Sequence, residues 1–194
     1  FVGTNYRDEK KLPQAAKAFL AASALFEAQG DQEKAEDFFY VSGKMYEEME
    51  DWDKVLQTMR EYTRKFGAKP KRIVEAKFIE GYASYTRKKY DEALRIWKDL
   101  YVLHERLAKK DPELTAQFPA RAKFLTAELS LADYEPAAIS GATKSSLKSS
   151  LKRKQDLLTQ VIKLYGDAAQ YKVEEYTTAS VFRIGMAMLD FRDA

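Results

Sequence analysis

Gly81-Tyr82-Ala83-Ser84-Tyr85 is followed by Tyr90-Asp91-Glu92-Ala93-Leu94 and then by Trp97, and the reading of this stretch decides the fold. A small residue at position 81 lets two helices approach closely. Aromatic residues fill the space between hairpins, and Trp97 can pack back across the turn. Pro70 opens the first of these helices, which runs through Ile73, Phe78 and Tyr82 to about Arg87. The second begins at Asp91 and carries Leu94, Trp97, Leu100 and Leu103 at helical spacing, until Asp111-Pro112 closes it.

The same periodicity extends in both directions. Upstream, Leu12 to Gln29 carries Ala15, Ala18, Phe19, Ala22, Leu25 and Phe26. Gly30-Asp31 interrupts it, and Asp31 can cap a second helix bearing Ala35, Phe38, Phe39, Ser42, Tyr46 and Met49. Asp51 can cap a third, with Val55, Leu56, Met59, Tyr62 and Phe66, and Gly67 fits its helix-ending position. Downstream, the spacing predicts helices from near Pro119 to about Ala132, from Leu147 to Tyr165, and from near Val173 through Phe182, Ile184, Met188 and Leu189. No stretch alternates with the period of a strand. The expectation is an all-α chain of about eight helices, each roughly 15–20 residues, stacked as antiparallel hairpins.

Composition agrees. Of 194 residues, 45% are hydrophobic, enough for a sizeable core, and only 8 Gly and 5 Pro interrupt helices. Lys and Arg number 33 against 30 Asp and Glu; a net charge of +3 does not point to nucleic acid as a partner. The absence of Cys excludes disulfides, thiolate nucleophiles and Cys-ligated metals, and leaves the compartment open. No apolar run approaches the ~18 residues of a membrane span. The sequence starts at Phe1 without a signal-peptide pattern and stops inside a helical stretch, so a piece of a longer protein is expected. Membrane contact would then come only through partners or through an anchor outside the sequence.

Phe39, Ser42, Gly43 and Tyr46, with Val55 and Met59, occupy the sites of a W-x2-L-G-x2-Y … A-x3-F pattern, and Ala35-x3-Phe39 repeats its spacing. The Gly81–Trp97 stretch follows that pattern more closely, and Val181, Ile184, Gly185 and Met188 open a further copy. On these residues the chain resembles the tetratricopeptide repeat family, over about 13–110 and 172–192. The resemblance implies an α-solenoid of helical hairpins that binds proteins. Gly43 and Gly81 are 38 residues apart, above the family period near 34, and Gly81 and Gly185 are 104 apart. Lys77 and Glu80 depart from the pattern, so irregular repeats are expected. The expected organisation is an N-terminal extension over 1–12, repeats over 13–139, a flexible Ser/Gly/Thr-rich loop over 140–146, and a C-terminal helical pair with a truncated repeat over 147–194. The stretch Tyr165-Gly166-Asp167 through Tyr171 to Gly185 is also similar to periplasmic tetratricopeptide proteins of bacterial envelope machines, especially those of adventurous gliding motility. That similarity implies a periplasmic adaptor; otherwise the chain would be cytoplasmic.

In this family the first helix of each hairpin lines a concave surface. The resemblance therefore implies a groove lined by Tyr40, Lys44, Glu47, Phe78, Tyr82, Tyr85, Phe182 and Met186. Aromatics suit such a surface because they bury much area at low entropy cost. Lys44, Glu47 and Arg183 would orient a peptide or helix laid in it. The carboxylate clamp of chaperone-binding members needs Asn at groove positions, and the only Asn here is Asn5, outside the repeats. The incomplete last repeat could also pair with a second copy.

The rival surface is basic. Lys144, Lys148 and Lys152 form a stripe, with Arg153 and Lys154 beside it, that could meet nucleic acid or an anionic membrane. A second basic stretch, Arg60, Arg64, Lys65, Lys69, Lys71 and Arg72, reads as a solvated face. Nothing points to catalysis, a metal or a cofactor. His104 is the only histidine and cannot build a common zinc site. The acidic run Glu47, Glu48, Glu50, Asp51, Asp53 lacks the spacing of a calcium loop. Gly141-Ala142-Thr143-Lys144-Ser145 lacks the Gly-Lys-Ser core of a phosphate loop. The expectation is a non-enzymatic interaction scaffold.

Overall fold

A computed structural model describes residues 11–67 and 69–194. The extension expected over 1–12 lies outside the described residues apart from Lys11 and Leu12, as does Asn5. Among the described residues the chain is all-α. Its eight helices are α1 (Leu12–Ala28), α2 (Gln32–Glu48), α3 (Trp52–Lys65), α4 (Pro70–Thr86), α5 (Tyr90–Ala108), α6 (Gln117–Tyr134), α7 (Lys144–Ala169) and α8 (Glu174–Asp193). None is long and apolar enough to cross a membrane. The chain divides into two compact units, Phe1–Leu114 and Thr115–Ala194. That boundary falls inside the stretch expected to hold continuous repeats to 139. The reason is packing: α6 lies against α7 and α8 and shares their core.

In the first unit, α1 through α5 each pack on their sequence neighbours. Asp31 and Asp51 cap α2 and α3 as the sequence indicates, accepting the backbone N–H of Lys34 at 3.1 Å and of Lys54 at 3.3 Å. One turn recurs. Gly30, Glu50 and Lys88 each adopt a left-handed φ, of 80°, 55° and 59°. The next residue then donates its N–H back across the last helical turn: Asp31 to Phe26, Asp51 to Tyr46 and Lys89 to Ser84, at 2.9–3.0 Å. Lys172 in the second unit takes the same φ, 56°. Gly67 has no such role: α3 stops at Lys65, and the buried Phe66 draws the backbone into an extended conformation instead.

These turns keep two hairpins in one register. The pair α2–α3 starts at 32 and 52, and the pair α4–α5 at 70 and 90, an offset of 38 residues for both helices. The close-approach glycines keep that offset. A Cβ on Gly43 would lie 2.6 Å from the Met59 methyl, and one on Gly81 would lie 2.3 Å from the Trp97 indole nitrogen. Buried residues follow suit, with Val55 matching Ala93, Tyr62 matching Leu100 and Phe66 matching His104. The lone histidine is therefore a packed residue. Lys77 and Glu80, which break the sequence pattern, have a reason of their own. Buried Glu80 accepts from Lys77 at 2.9 Å and from Arg60 at 3.0 Å, and Arg60 also reaches Glu92 at 2.9 Å, so charges join α3, α4 and α5.

The second unit is a three-helix assembly around Leu131, Tyr134, Val161, Tyr165 and Ala187. Glu128 on α6 accepts the Tyr165 hydroxyl of α7 and both ends of the Arg183 guanidinium of α8, at 2.9 and 3.0 Å. Helix α7 is longer than the expected 147–165. Thr143 caps it, and Ser146 bonds back to the Thr143 backbone, closing a capping box. Much of the loop expected over 140–146 is thus the first turn of a helix.

Candidate protein-binding surfaces

The eight expected groove residues fall on α2 and α4 of the first unit and α8 of the second, in very different settings. Phe78 does not line a surface: it is 2% exposed and stacks on Trp97, whose indole N–H donates to the Phe78 carbonyl at 3.3 Å. Tyr82 and Tyr85 are half-buried. Tyr82 stacks between Phe78 and Tyr85 and meets Trp52 edge-on, while Tyr85 leans on Tyr90 and Trp97. These rings fill the space between helices and are only partly exposed.

On α2, Tyr40 packs against Tyr62 and under the Arg72 guanidinium, 5.0 Å above its ring. Burial, with the Glu75 carboxylate beside it, pushes the Tyr40 phenol well above the ordinary tyrosine range. Lys44 pairs with Glu47 along its own helix and with Glu75 across to α4 at 3.1 Å. Burial works against the Lys44 ammonium, but those two carboxylates outweigh it and hold its pKa above the usual lysine value. Lys44 therefore ties α2 to α4. Arg183, expected to orient a partner, is held bidentate by Glu128 and ties α8 to α6.

Helix α8 behaves differently. Phe182 is 63% exposed and Met186 51%, and Val181, Met188 and Leu189 stand out beside them. Among the described residues, ten large apolar side chains are exposed, and these five lie on one helix. Single exposed apolar residues are ordinary; five on one helix form a candidate docking surface. Gly185 sits in their midst, and beyond its chain neighbours and its own helix backbone no described atom lies within 4 Å of where its Cβ would be.

The basic surface survives in part. Lys144, Lys148, Lys152 and Arg153 are exposed on α7, and Leu147 and Leu151 are exposed between them. Lys154 is not part of it. It is buried, pairs with Asp190 of α8 at 2.9 Å and lies over the Tyr134 ring at 4.9 Å. Its place in the Lys154, Leu158, Val161, Tyr165 seam was visible in the spacing, since all four share the inner face of α7. Arg60 and Arg64, read as solvated, are exposed and border a cleft of ≈ 530 Å³ with Ile73, Lys77, Asp99, Val102, Leu103 and Arg106, which spacing alone does not reveal. Among the described residues, no group of three or more His, Asp or Glu side chains is placed to hold a metal ion.

No protein-family profile matches the chain, and no curated protein matches it.

Proposed function

We propose that the chain is a non-enzymatic scaffold of the tetratricopeptide type that binds a protein partner, with the outer face of α8 as its principal docking surface. The observation that carries this reading is the cluster of Val181, Phe182, Met186, Met188 and Leu189, exposed together on one helix. An apolar helix face is a standard seat for another helix, which anchors itself with side chains at i, i+3, i+4 and i+7. The half-buried side chains of Tyr40, Tyr82 and Tyr85 on α2 and α4 offer a second, shallower contact. Such an adaptor would work in a bacterial envelope complex, including one for gliding, as the resemblance over the Tyr165–Gly185 stretch implies.

The test is site-specific photo-crosslinking in the native cells, with the probe at Phe182 or Tyr82, followed by mass spectrometry. Protein adducts at Phe182 that disappear with Met186→Asp are expected. Adducts at Tyr82 alone would move the principal surface to the first unit. No adduct at either position would sink the scaffold reading. A second reading rests on exposed Lys144, Lys148, Lys152 and Arg153 flanking exposed Leu147 and Leu151, an arrangement that suits an anionic surface. Binding to anionic vesicles or DNA that weakens steeply with salt would favour it.

A further inference from the structure

Helix α8 repeats the register of α4. The two start 104 residues apart, at Glu174 and Pro70, and Gly185 and Gly81 keep the same offset. In α4 the glycine slot is filled by Trp97 of the antiparallel α5, and in α2 the Gly43 slot is filled by Met59 of α3. In both cases a bulky side chain from an antiparallel helix lies over the glycine. Over Gly185 the described residues leave the slot open.

The sequence of α8 describes what fits there. Glu175, Thr178, Phe182, Gly185, Leu189 and Arg192 follow one another at intervals of three and four, the spacing of a helix–helix seam, and all six are exposed. Set this seam antiparallel to a copy of itself and it is self-complementary. Phe182 falls opposite Gly185, Leu189 opposite Thr178 and Arg192 opposite Glu175. The large ring meets the empty slot, and acid meets base at both ends. A depression lined by Val173, Glu175, Thr178, Ala179 and Phe182 lies where Leu189 of the other copy would arrive.

We infer that two copies of this chain pair through antiparallel α8 helices, each seating its Phe182 over Gly185 of the other. The arrangement is isologous, as a two-fold dimer requires. This inference rests on the reading of the α8 face as a docking surface and names its occupant. A single pair of 20-residue helices is about 30 Å long, a small interface, so pairing in the micromolar range is expected.

Sedimentation equilibrium of the whole chain from roughly 1 to 200 µM, the range set by that interface size, tests it. The wild type is expected to dimerise. Phe182→Ala and Gly185→Met should each weaken pairing at least tenfold, with the helical circular dichroism unchanged. Glu175→Arg and Arg192→Glu should each weaken it, and the double reversal should restore it, because only antiparallel pairing sets these two residues opposite each other. A monomer throughout the range overturns the inference. So does a dimer indifferent to Phe182→Ala and Gly185→Met, or a double reversal that fails to rescue folded protein. The crosslinking above separates the two readings: adducts from Phe182 to a different protein, with a monomeric chain, would leave the scaffold standing and remove the self-pairing.

Discussion

Gly81 and Gly185 hold one register in α4 and α8, but their surroundings are opposite. Gly81 is buried beneath a tryptophan that is itself sealed from solvent, while Gly185 and the apolar residues around it face outward. The same residue type at the same place in the helix therefore serves two ends. In the first unit, absence of a side chain lets a neighbouring helix close in. In the second, it leaves a slot. A glycine in a helical motif marks where a backbone can be approached, and only the structure says whether anything approaches.

The comparison breaks first at Trp97. If the indole is what fills the Gly81 slot, Trp97→Ala should cost about 3–5 kcal/mol in urea unfolding of the first unit, through lost burial and the cavity left behind. A loss below about 1 kcal/mol would mean the slot collapses freely. Next comes the glycine itself. Gly81→Ala drives a methyl into a ring held by Phe78 and Tyr85, so a loss of about 1–3 kcal/mol is expected despite the better helix propensity of alanine. Gly43→Ala should cost less, because the atom in its way is the mobile end of Met59.

Asp190, on the inner side of α8, sharpens the contrast with the outer side. Its hydrogen bond from Lys154, with Tyr134 adding to it, holds its carboxyl below the ordinary aspartate value. A depressed pKa means stability that is present above about pH 4 and lost as pH falls through the folded value. Acid titration should thus weaken the second unit, and Asp190→Asn should remove that component. Asp190 is half exposed, so solvent screening limits the cost of this substitution at neutral pH to about 1–2 kcal/mol, largely from stranding buried Lys154. The smallest effects are gains. Gly185→Ala in dilute protein should stabilise by about 0.5–1 kcal/mol, since no neighbour opposes the methyl. The sign is opposite to that at Gly81, and a loss there would mean the slot is not open. Lys88→Gly should give a similar gain by relieving a left-handed lysine.

Much of the fold was legible. Apolar spacing, the caps at Asp31 and Asp51, and the glycines at 43, 81 and 185 placed the helices and their register. What escaped was set by contacts rather than by residue type. Nothing about a glutamate or lysine announces a left-handed φ, so the turns at Glu50, Lys88 and Lys172 were invisible while Gly30 was not. The Thr143–Ser146 box hid because serine stands where a glutamate would give the usual signal. The assignment of α6 to the second unit depends on long-range packing with α7 and α8. Phe78 falls outside the expected groove for a related reason. Periodicity says which side of a helix is apolar, but Phe78 and Phe182, in equivalent positions, differ in what lies over them. Where a neighbour covers the helix, the ring is core, and where none does it is surface.

Glu128 gives the second unit a clasp that reaches all three of its helices. One carboxylate receives both a phenol from α7 and a guanidinium from α8, so neither helix can peel away without leaving that charge short of a partner. Amide hydrogens along these three helices should therefore exchange in concert rather than helix by helix, and replacing this one side chain by glutamine should release all three together.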